Sequence, residues 1–571
     1  MSQIRTGSIE WEMEENFGID ADKNGMMDLP NTKQYASNDE FMVFFQFKHT
    51  PPTNSELGVS YGNVNRHLTA YWYINGKLSK EIRNPAGTPD TFNIRLKDDH
   101  TYGVFARFEY KYDRTTIIHK SAEISVRPNN ILIVALGDSY SSGEGNPDWP
   151  YTKSSWTKDK IWADGSKEHT GSIIHPVLKI PASNSTDKDH EIAHRSTTVW
   201  SAQAAASLEY SDKHTSITYV NLASGGARIE NLINKNQTKS SDSNTRGMHT
   251  YIQVTEAKRL IGNRKIDALV LSIGGNDAGF DLAIMSYLVR NGDQLINLLT
   301  LDGIRNKIMN GKWEDGIGTD IVEIIPQVKF EERIGLAALP MSYLLLAEHI
   351  RLNLPKIENI YMLQYPDPTI GCIEILEVIP SSIAPNTGIL KMDFEEINHA
   401  KVNLITPINK IIQNHCQIVG WELVDPGDWT GHGYCFKSKE PFFFQGFHSH
   451  YGLNPQFDPN IKDVGWVRTF IESFLLSKFA LGVAHPNSWG HRAISLSLLK
   501  SLKPENNLSA CSGDHFLRAR EEIKMDKSCF QKADKDECYI WTAGEAIILE
   551  EGFDSEVGTV FEGVIDTKLK N

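Results

Sequence analysis

The chain has 571 residues, more than one hydrophobic core organises, and its 40% hydrophobic and 23% charged residues are those of an ordinary globular protein. A formal net charge of -14 argues against a nucleic-acid partner, because phosphate binding needs clustered Lys and Arg. No stretch approaches the ~18 consecutive apolar residues of a membrane span; the nearest, Ile334 to Ala347, holds Pro340 and reads as a buried helix.

The opening Met1-Ser2-Gln3-Ile4-Arg5 is not a signal peptide, which leaves an intracellular protein or a processed form with a new start. Residues 1–128 alternate apolar and polar side chains between turns, as in Phe41 to Phe47 and in Leu68 to Ile74 followed by Asn75-Gly76. That pattern predicts an immunoglobulin-like antiparallel β-sandwich with Trp72 in its core. Within it, Asp20, Asp22, Asn24 and Asp28, with Gly25, match the first nine positions of an EF-hand-like loop. Position 12 is Asn31 rather than glutamate, so the segment is either a weak structural Ca²⁺ site or an uncoordinated acidic turn.

Near residue 130 the pattern changes to apolar runs: Ile131 to Leu136, Ile217 to Leu222, Ile266 to Ile273 and Ile357 to Leu363. Helical stretches separate them, at Thr198 to Leu208, Tyr251 to Ile261 and Phe394 to His415. Buried strands alternating with helices predict a doubly wound parallel sheet, an α/β domain over residues 129–505. Residues 506–571 are polar and irregular, and their short apolar runs between glycine turns predict a small β-rich module. The six cysteines lie between Cys372 and Cys538 with no Cys-x-x-Cys pair, which gives a zinc site little support. They suit disulfides in an oxidising compartment or buried thiols.

Three of the strands end in turns of small residues, where an open α/β sheet places its ligand crevice. These are Gly137-Asp138-Ser139, Ser224-Gly225-Gly226 and Gly274-Gly275-Asn276-Asp277; His485-Pro486-Asn487 follows far downstream. Acyl transfer needs a nucleophilic hydroxyl, a base and donors aimed at a developing oxyanion. A serine, a histidine, glycine N–H groups and an asparagine amide supply that set.

In order and spacing these four segments resemble the SGNH (GDSL) hydrolases over about residues 130 to 500. The large secreted bacterial branch is the most similar, through His194-Arg195-Ser196, Tyr365-Pro366-Asp367 and Gly431-His432-Gly433-Tyr434-Cys435. The resemblance implies Ser139 as nucleophile, His485 as general base, and an oxyanion hole of the Ser139 and Gly226 N–H groups with the Asn276 side chain. It implies catalysis without a metal and a secreted or cell-surface protein. Many members carry an aspartate three residues before the histidine; here that position is Gly482, whose backbone carbonyl is the candidate for orienting His485. A Ser–His dyad is therefore expected, with Glu472 the weaker candidate for a third member.

Plainer roles are expected nearby: loop hydrogen bonds for Ser141 and Ser142, turn bonding for Asp138, and helix packing for His491. His194 and Arg195 either line the cleft or anchor a turn, and Cys435 is a disulfide candidate with Cys372. The expected activity is hydrolysis of carboxylic esters, lipase or carboxylesterase in type. The alternatives are a carbohydrate O-acetyl esterase and a non-catalytic adhesin on the same scaffold. Apolar insertions containing Trp149, Trp156 and Trp162, and running from Phe280 to Leu346, either cover the cleft or pack on the sheet. Oligomeric state is not written in the sequence.

Overall fold

The computed structural model describes residues 2–14, 16, 35–60, 62–83, 90–98, 100–144, 193–196, 199–238, 249–280, 321–354, 356–370, 398–433, 465–467, 484–502, 505–510, 516–525, 538–543, 546–548 and 560–565. Strand formation in the amino-terminal part follows the alternation of its side chains. The strands are β1 (Ser2–Met13), β2 (Glu40–Lys48), β3 (Leu68–Ile74), β4 (Lys77–Arg83), β5 (Thr91–Lys97), β6 (Tyr102–Tyr112), β7 (Thr115–Ser121) and β8 (Ile124–Val126). They lie in the order β4-β3-β6-β7-β1-β2-β5, with β8 on β6. β1 changes partner along its length: Ser2 to Gly7 pair in parallel with β7, and Ser8 to Met13 pair antiparallel with β2. At the handover a side chain on Gly7 would begin 2.4 Å from the Phe47 ring, so only glycine lets the strand pass. Phe45, Phe47, Trp72 and Phe108 fill the core beneath, with Trp72 fully buried as expected.

A continuous apolar strand must bury both faces, and β9 (Asn129–Gly137) does. Leu132, Val134 and Leu136 face one core while Ile133 and Ala135 face the other, the two-residue period of a strand. The next strands are β10 (Thr215–Asn221), the short ribbon β11 (Gln237–Thr238) and β12 (His249–Thr250), then β13 (Ile266–Ser272), β14 (Ile357–Leu363) and β15 (Glu422–Val424). The main sheet is parallel throughout, in the order β10-β9-β13-β14-β15. Helices α1 (Trp200–Ser211), α2 (Gln253–Ile261), α3 (Ile321–Asn353), α4 (Thr406–Val419) and α5 (Ser488–Leu502) cover it. Residues of α1 and α5 pack on one face, and residues of α2, α3 and α4 on the other. The doubly wound reading is thus the fold found. The chain leaves β9 toward β10 and returns across it to β13, so the crevice of the sheet opens where β9 and β13 end.

Three details differ from expectation. The stretch Ile334 to Ala347 belongs to α3, where among the described side chains Leu339, Tyr343, Leu346 and Ile350 are buried on one side. Ile334, Met341 and Leu345 are more than half exposed, so the segment is amphipathic rather than buried. Strand β15 escapes a sequence reading because it is three residues long. A π-turn over Ala400–Ile405 precedes α4, where Pro407 lacks the N–H that the α ladder needs. Among the described residues no helix is long and apolar enough to cross a membrane.

Strands β16 (Glu505–Ala510), β17 (Phe516–Met525), β18 (Cys538–Ala543), β19 (Ala546–Ile548) and β20 (Val560–Ile565) pair only in parallel. Parallel neighbours cannot be hairpins, so the chain returns to the same end between paired strands, whereas β19 continues directly from β18 along the same edge of β17. The amino-terminal strands meet the main sheet at the opposite end from the crevice. There the Met13 N–H donates to the Lys213 carbonyl at 2.8 Å, and Arg264 bonds Asn130 while lying over the Phe41 ring. The acidic turn of Asp20, Asp22, Asn24 and Asp28 lies outside the described residues, as do Trp149, Trp156, Trp162, Cys372, Cys435, Cys511, Cys529, Glu472 and Gly482. Cys416 is a buried free thiol.

Candidate active site

At the end of β9 the backbone turns at Gly137, whose φ of 128° and position forbid a side chain; a Cβ would lie 2.1 Å from the Ser272 carbonyl oxygen. Asp138 caps the single helical turn Ser139–Ser142, accepting the Tyr140 N–H at 3.0 Å. Ser139 is thereby presented at the carboxyl edge of the sheet. Its Oγ lies 2.8 Å from His485 Nε2, and both residues are largely buried. The two expected partners, 346 positions apart, are in hydrogen-bonding contact.

The histidine arrives on a turn fastened at both sides. Ala484 before it has φ 62°, a left-handed conformation that costs roughly 1–2 kcal/mol for a residue with a Cβ. Behind it, Asn487 donates from its backbone to the Trp466 carbonyl at 2.9 Å and from Nδ2 to the Gly465 carbonyl at 2.6 Å. Its Oδ1 accepts the Trp489 and Gly490 N–H groups and so caps α5.

The second segment forms a tight loop after β10. Gly226 turns with φ 74°. Gln237 grips the residues before it, with Oε1 accepting from Ser224 Oγ at 2.9 Å and Nε2 donating to the Gly225 carbonyl at 2.8 Å. From below, the buried pair of His194 Nδ1 and Glu144 Oε2, 2.8 Å apart, lies against Gly225, where a Cβ would stand 2.4 Å from that Oε2. Arg195 donates to the Ala223 and Leu222 carbonyls. Of the two readings of His194 and Arg195, the geometry is that of turn anchors.

The third segment follows β13. Asn276 Nδ2 donates to the Ala227 carbonyl at 2.8 Å, and the Asp277 carboxylate accepts the Ile229 N–H. These bonds lock the second and third loops together. Among the described residues the N–H groups of Ser139 and Gly226 have no acceptor. A hydroxyl bonded to an imidazole, beside unengaged backbone N–H groups and an amide, is an arrangement able to carry acyl transfer.

Two buried carboxyls shape the electrostatics. Burial pushes Asp138 up to about 7, against the opposing effect of its bonds from Tyr365 O–H and the Tyr140 N–H. Burial likewise pushes Asp277 up to about 6, opposed by the Ile229 N–H. Both are occupied in holding loops. Ser141 Oγ accepts the Ser272 N–H at 2.8 Å, Ser142 Oγ donates to the Ser139 carbonyl, and His491 is buried within α5. These three are structural, as expected. Gln253, Gln237 and Glu144 were not singled out in the sequence, where a glutamine or glutamate beside a loop carries no distinguishing pattern.

Residues 133–295 match the family model described as GDSL-like Lipase/Acylhydrolase. That segment is a GDSL-like lipase/acylhydrolase domain. The matched GDSL-like segment takes in Ser139, Gly226 and Asn276 and stops before His485, which joins the site through the fold rather than through the match. No curated protein matches the chain. Among solved structures, the chain is similar to an extracellular lipase from Streptomyces rimosus, with 18% identity and TM-score 0.34 over 65% of this chain and 100% of that one. An acetyl xylan esterase from Geobacillus stearothermophilus gives 10% identity and TM-score 0.25 over 66% and 96%. A family two carbohydrate esterase from Clostridium thermocellum gives 10% and 0.24 over 76% and 84%. All three TM-scores lie below 0.5, and no substrate is carried from these proteins to this one.

Proposed function

We propose that the protein is a serine esterase that hydrolyses carboxylic esters through an acyl-enzyme on Ser139. The observation that carries this reading is the 2.8 Å contact between Ser139 Oγ and His485 Nε2 at the carboxyl edge of the sheet. Ser139 Oγ attacks the ester carbonyl carbon as its proton passes to His485 Nε2. The carbonyl oxygen becomes an oxyanion facing the Ser139 and Gly226 N–H groups and the Asn276 amide. Collapse breaks the bond to the alkoxy group, which leaves as the alcohol with the proton from His485. Water then repeats the sequence on the acyl-enzyme, returning Ser139 and releasing the acid. A backbone carbonyl, that of Gly482 by the family resemblance, orients the imidazole in place of a carboxylate. We place the active site in a domain of residues 129–505, with an immunoglobulin-like β-sandwich before it and a β-rich module after it. The resemblance to the secreted branch supports a secreted or cell-surface location.

The test is hydrolysis of p-nitrophenyl esters from acetyl to dodecanoyl by wild type, Ser139→Ala and His485→Ala. Wild-type turnover lost in both variants is expected. An optimum at long acyl chains supports the lipase or carboxylesterase type, and one at acetyl supports the O-acetyl esterase. Wild type no faster than both variants, with no labelling of Ser139 by a fluorophosphonate, overturns the reading in favour of a binding protein on this scaffold.

A further inference from the structure

Two buried phenols reach between the loops that carry the site, and each ends beside a different functional residue. Tyr140, next to Ser139, donates its hydroxyl to the Ala484 carbonyl at 2.9 Å, one residue before His485. Its ring lies 4.9 Å from the His485 ring, centroid to centroid. Tyr365, at the end of β14, accepts the Gly275 N–H at 2.8 Å, one residue before Asn276. The same hydroxyl donates to Asp138 Oδ2, one residue before Ser139. The two rings meet edge to face at 5.0 Å. Each donor and acceptor is used once and in the right sense: a phenol has one proton to give and lone pairs to receive.

Resting on the esterase reading, we infer that Tyr140 and Tyr365 are positioning residues that fix three loops in mutual register. Tyr140 sets the His485 turn against the nucleophile turn, and Tyr365 sets the Asn276 loop against the same turn. Neither touches the reacting atoms. The left-handed Ala484 explains why a tie is needed, since an unrestrained backbone leaves that conformation readily and carries His485 with it. Register matters because acyl transfer needs the hydroxyl, imidazole and oxyanion donors within fractions of an ångström of their working places. For Tyr365 the tie runs through backbone and carboxylate rather than through substrate, so its removal is felt in turnover and not in binding.

Tyr140→Phe and Tyr365→Phe keep ring and volume and delete only the hydroxyl. The experiment measures kcat and KM for both, each in the wild-type and the Asn276→Ala backgrounds, with thermal midpoints alongside. Both substitutions are expected to lower kcat about 10-fold or more with KM within about twofold. In the Asn276→Ala background Tyr365→Phe should cost little further, because the group it positions is gone. Tyr140→Phe should keep its full loss there, because it acts through His485. Equal losses of Tyr365→Phe in both backgrounds, or kcat of Tyr140→Phe within about twofold of wild type, overturn the inference. Should a phenylalanine variant not fold, 3-fluorotyrosine at that position alters the donor while keeping the shape, and unchanged kcat in that protein counts against the proposal. A wild type without esterase activity or Ser139 labelling overturns the functional reading and this inference together. An active, labelled wild type with the wrong pattern of losses overturns this inference alone.

Discussion

Gln253 and Gly137 are joined by a closed pair of hydrogen bonds: the Gly137 N–H donates to Gln253 Oε1 at 2.7 Å, and Gln253 Nε2 donates to the Gly137 carbonyl at 2.8 Å. The side-chain amide thus pairs with the backbone two residues before Ser139, where no neighbouring strand does so. Gln253→Ala leaves the buried Gly137 N–H unpaired, while the carbonyl keeps the Ser224 N–H at 3.0 Å, and the loss costs about 1–3 kcal/mol. The expected result is a lower urea midpoint with unchanged slope, and reduced ester turnover. Gln253→Glu retains one acceptor only and should fall between. At Gly137 itself an alanine meets the Ser272 carbonyl oxygen, so Gly137→Ala should fail to yield folded protein by circular dichroism.

Asn276 holds a loop with one amide hydrogen, given to Ala227, and on the esterase reading its second faces the oxyanion. Asn276→Ala should reduce kcat by about 10²–10³-fold, the usual cost of one oxyanion donor, with KM little changed. Asn276→Asp should be no better, because it brings an anion where negative charge develops. Steady-state kinetics at several substrate concentrations separate the two parameters.

Glu144 and His194 face each other inside the protein, behind the loop that carries Gly226. Removing Glu144 takes the acceptor from the buried His194 Nδ1, a loss that costs about 1–3 kcal/mol. Glu144→Ala should therefore lower the thermal midpoint strongly. Glu144→Gln, which still accepts a hydrogen bond from His194 Nδ1, should lose much less. If both variants lose the same stability, the hydrogen bond to His194 Nδ1 is not what holds the loop.

Acid should destabilise the amino-terminal strands through His119. Burial lowers this histidine from its ordinary 6.5 to about 4, with the neighbouring His49 and Arg5 acting in the same direction and Glu56 against them. Among the described residues neither of its ring nitrogens has a hydrogen-bond partner. Between pH 4 and 6.5 the unfolded chain binds a proton that the folded chain does not, so stability falls as pH drops through that window and is level above it. Buried His415, lowered to about 4, adds to the same trend. His119→Gln cannot titrate, and its stability difference from wild type should shrink by about 1–3 kcal/mol between pH 7 and pH 4. Urea titrations at the two pH values read this directly.

The parts of the site that the sequence discloses are those with an unusual backbone or a rare side-chain type at a strand end. Gly137, Gly226 and Asn276 stand out because small residues interrupt apolar runs, and β9, β10, β13 and β14 stand out because those runs are continuous. His485 is visible only as part of a family pattern, since its neighbours Ala484 and Pro486 give no local signal. What escapes is everything that acts sideways. Gln237, Gln253 and Glu144 are ordinary polar residues whose partners are backbone atoms or side chains far along the chain, and nothing local marks such pairings. The exposure of Ile334, Met341 and Leu345 on α3 was hidden for the converse reason: an apolar residue names its preference, not the surface that it meets.

The contact between Ser139 and His485 closes a loop of 346 positions, and this bears on how the protein is made. During synthesis the turn bearing the hydroxyl leaves the ribosome hundreds of residues ahead of the imidazole. At about 5–20 residues per second that interval is tens of seconds. On the esterase reading, a growing chain in that interval holds a serine with no base beside it, so reactivity toward esters begins only when the turn before α5 docks, and a chain cut short before it stays inert.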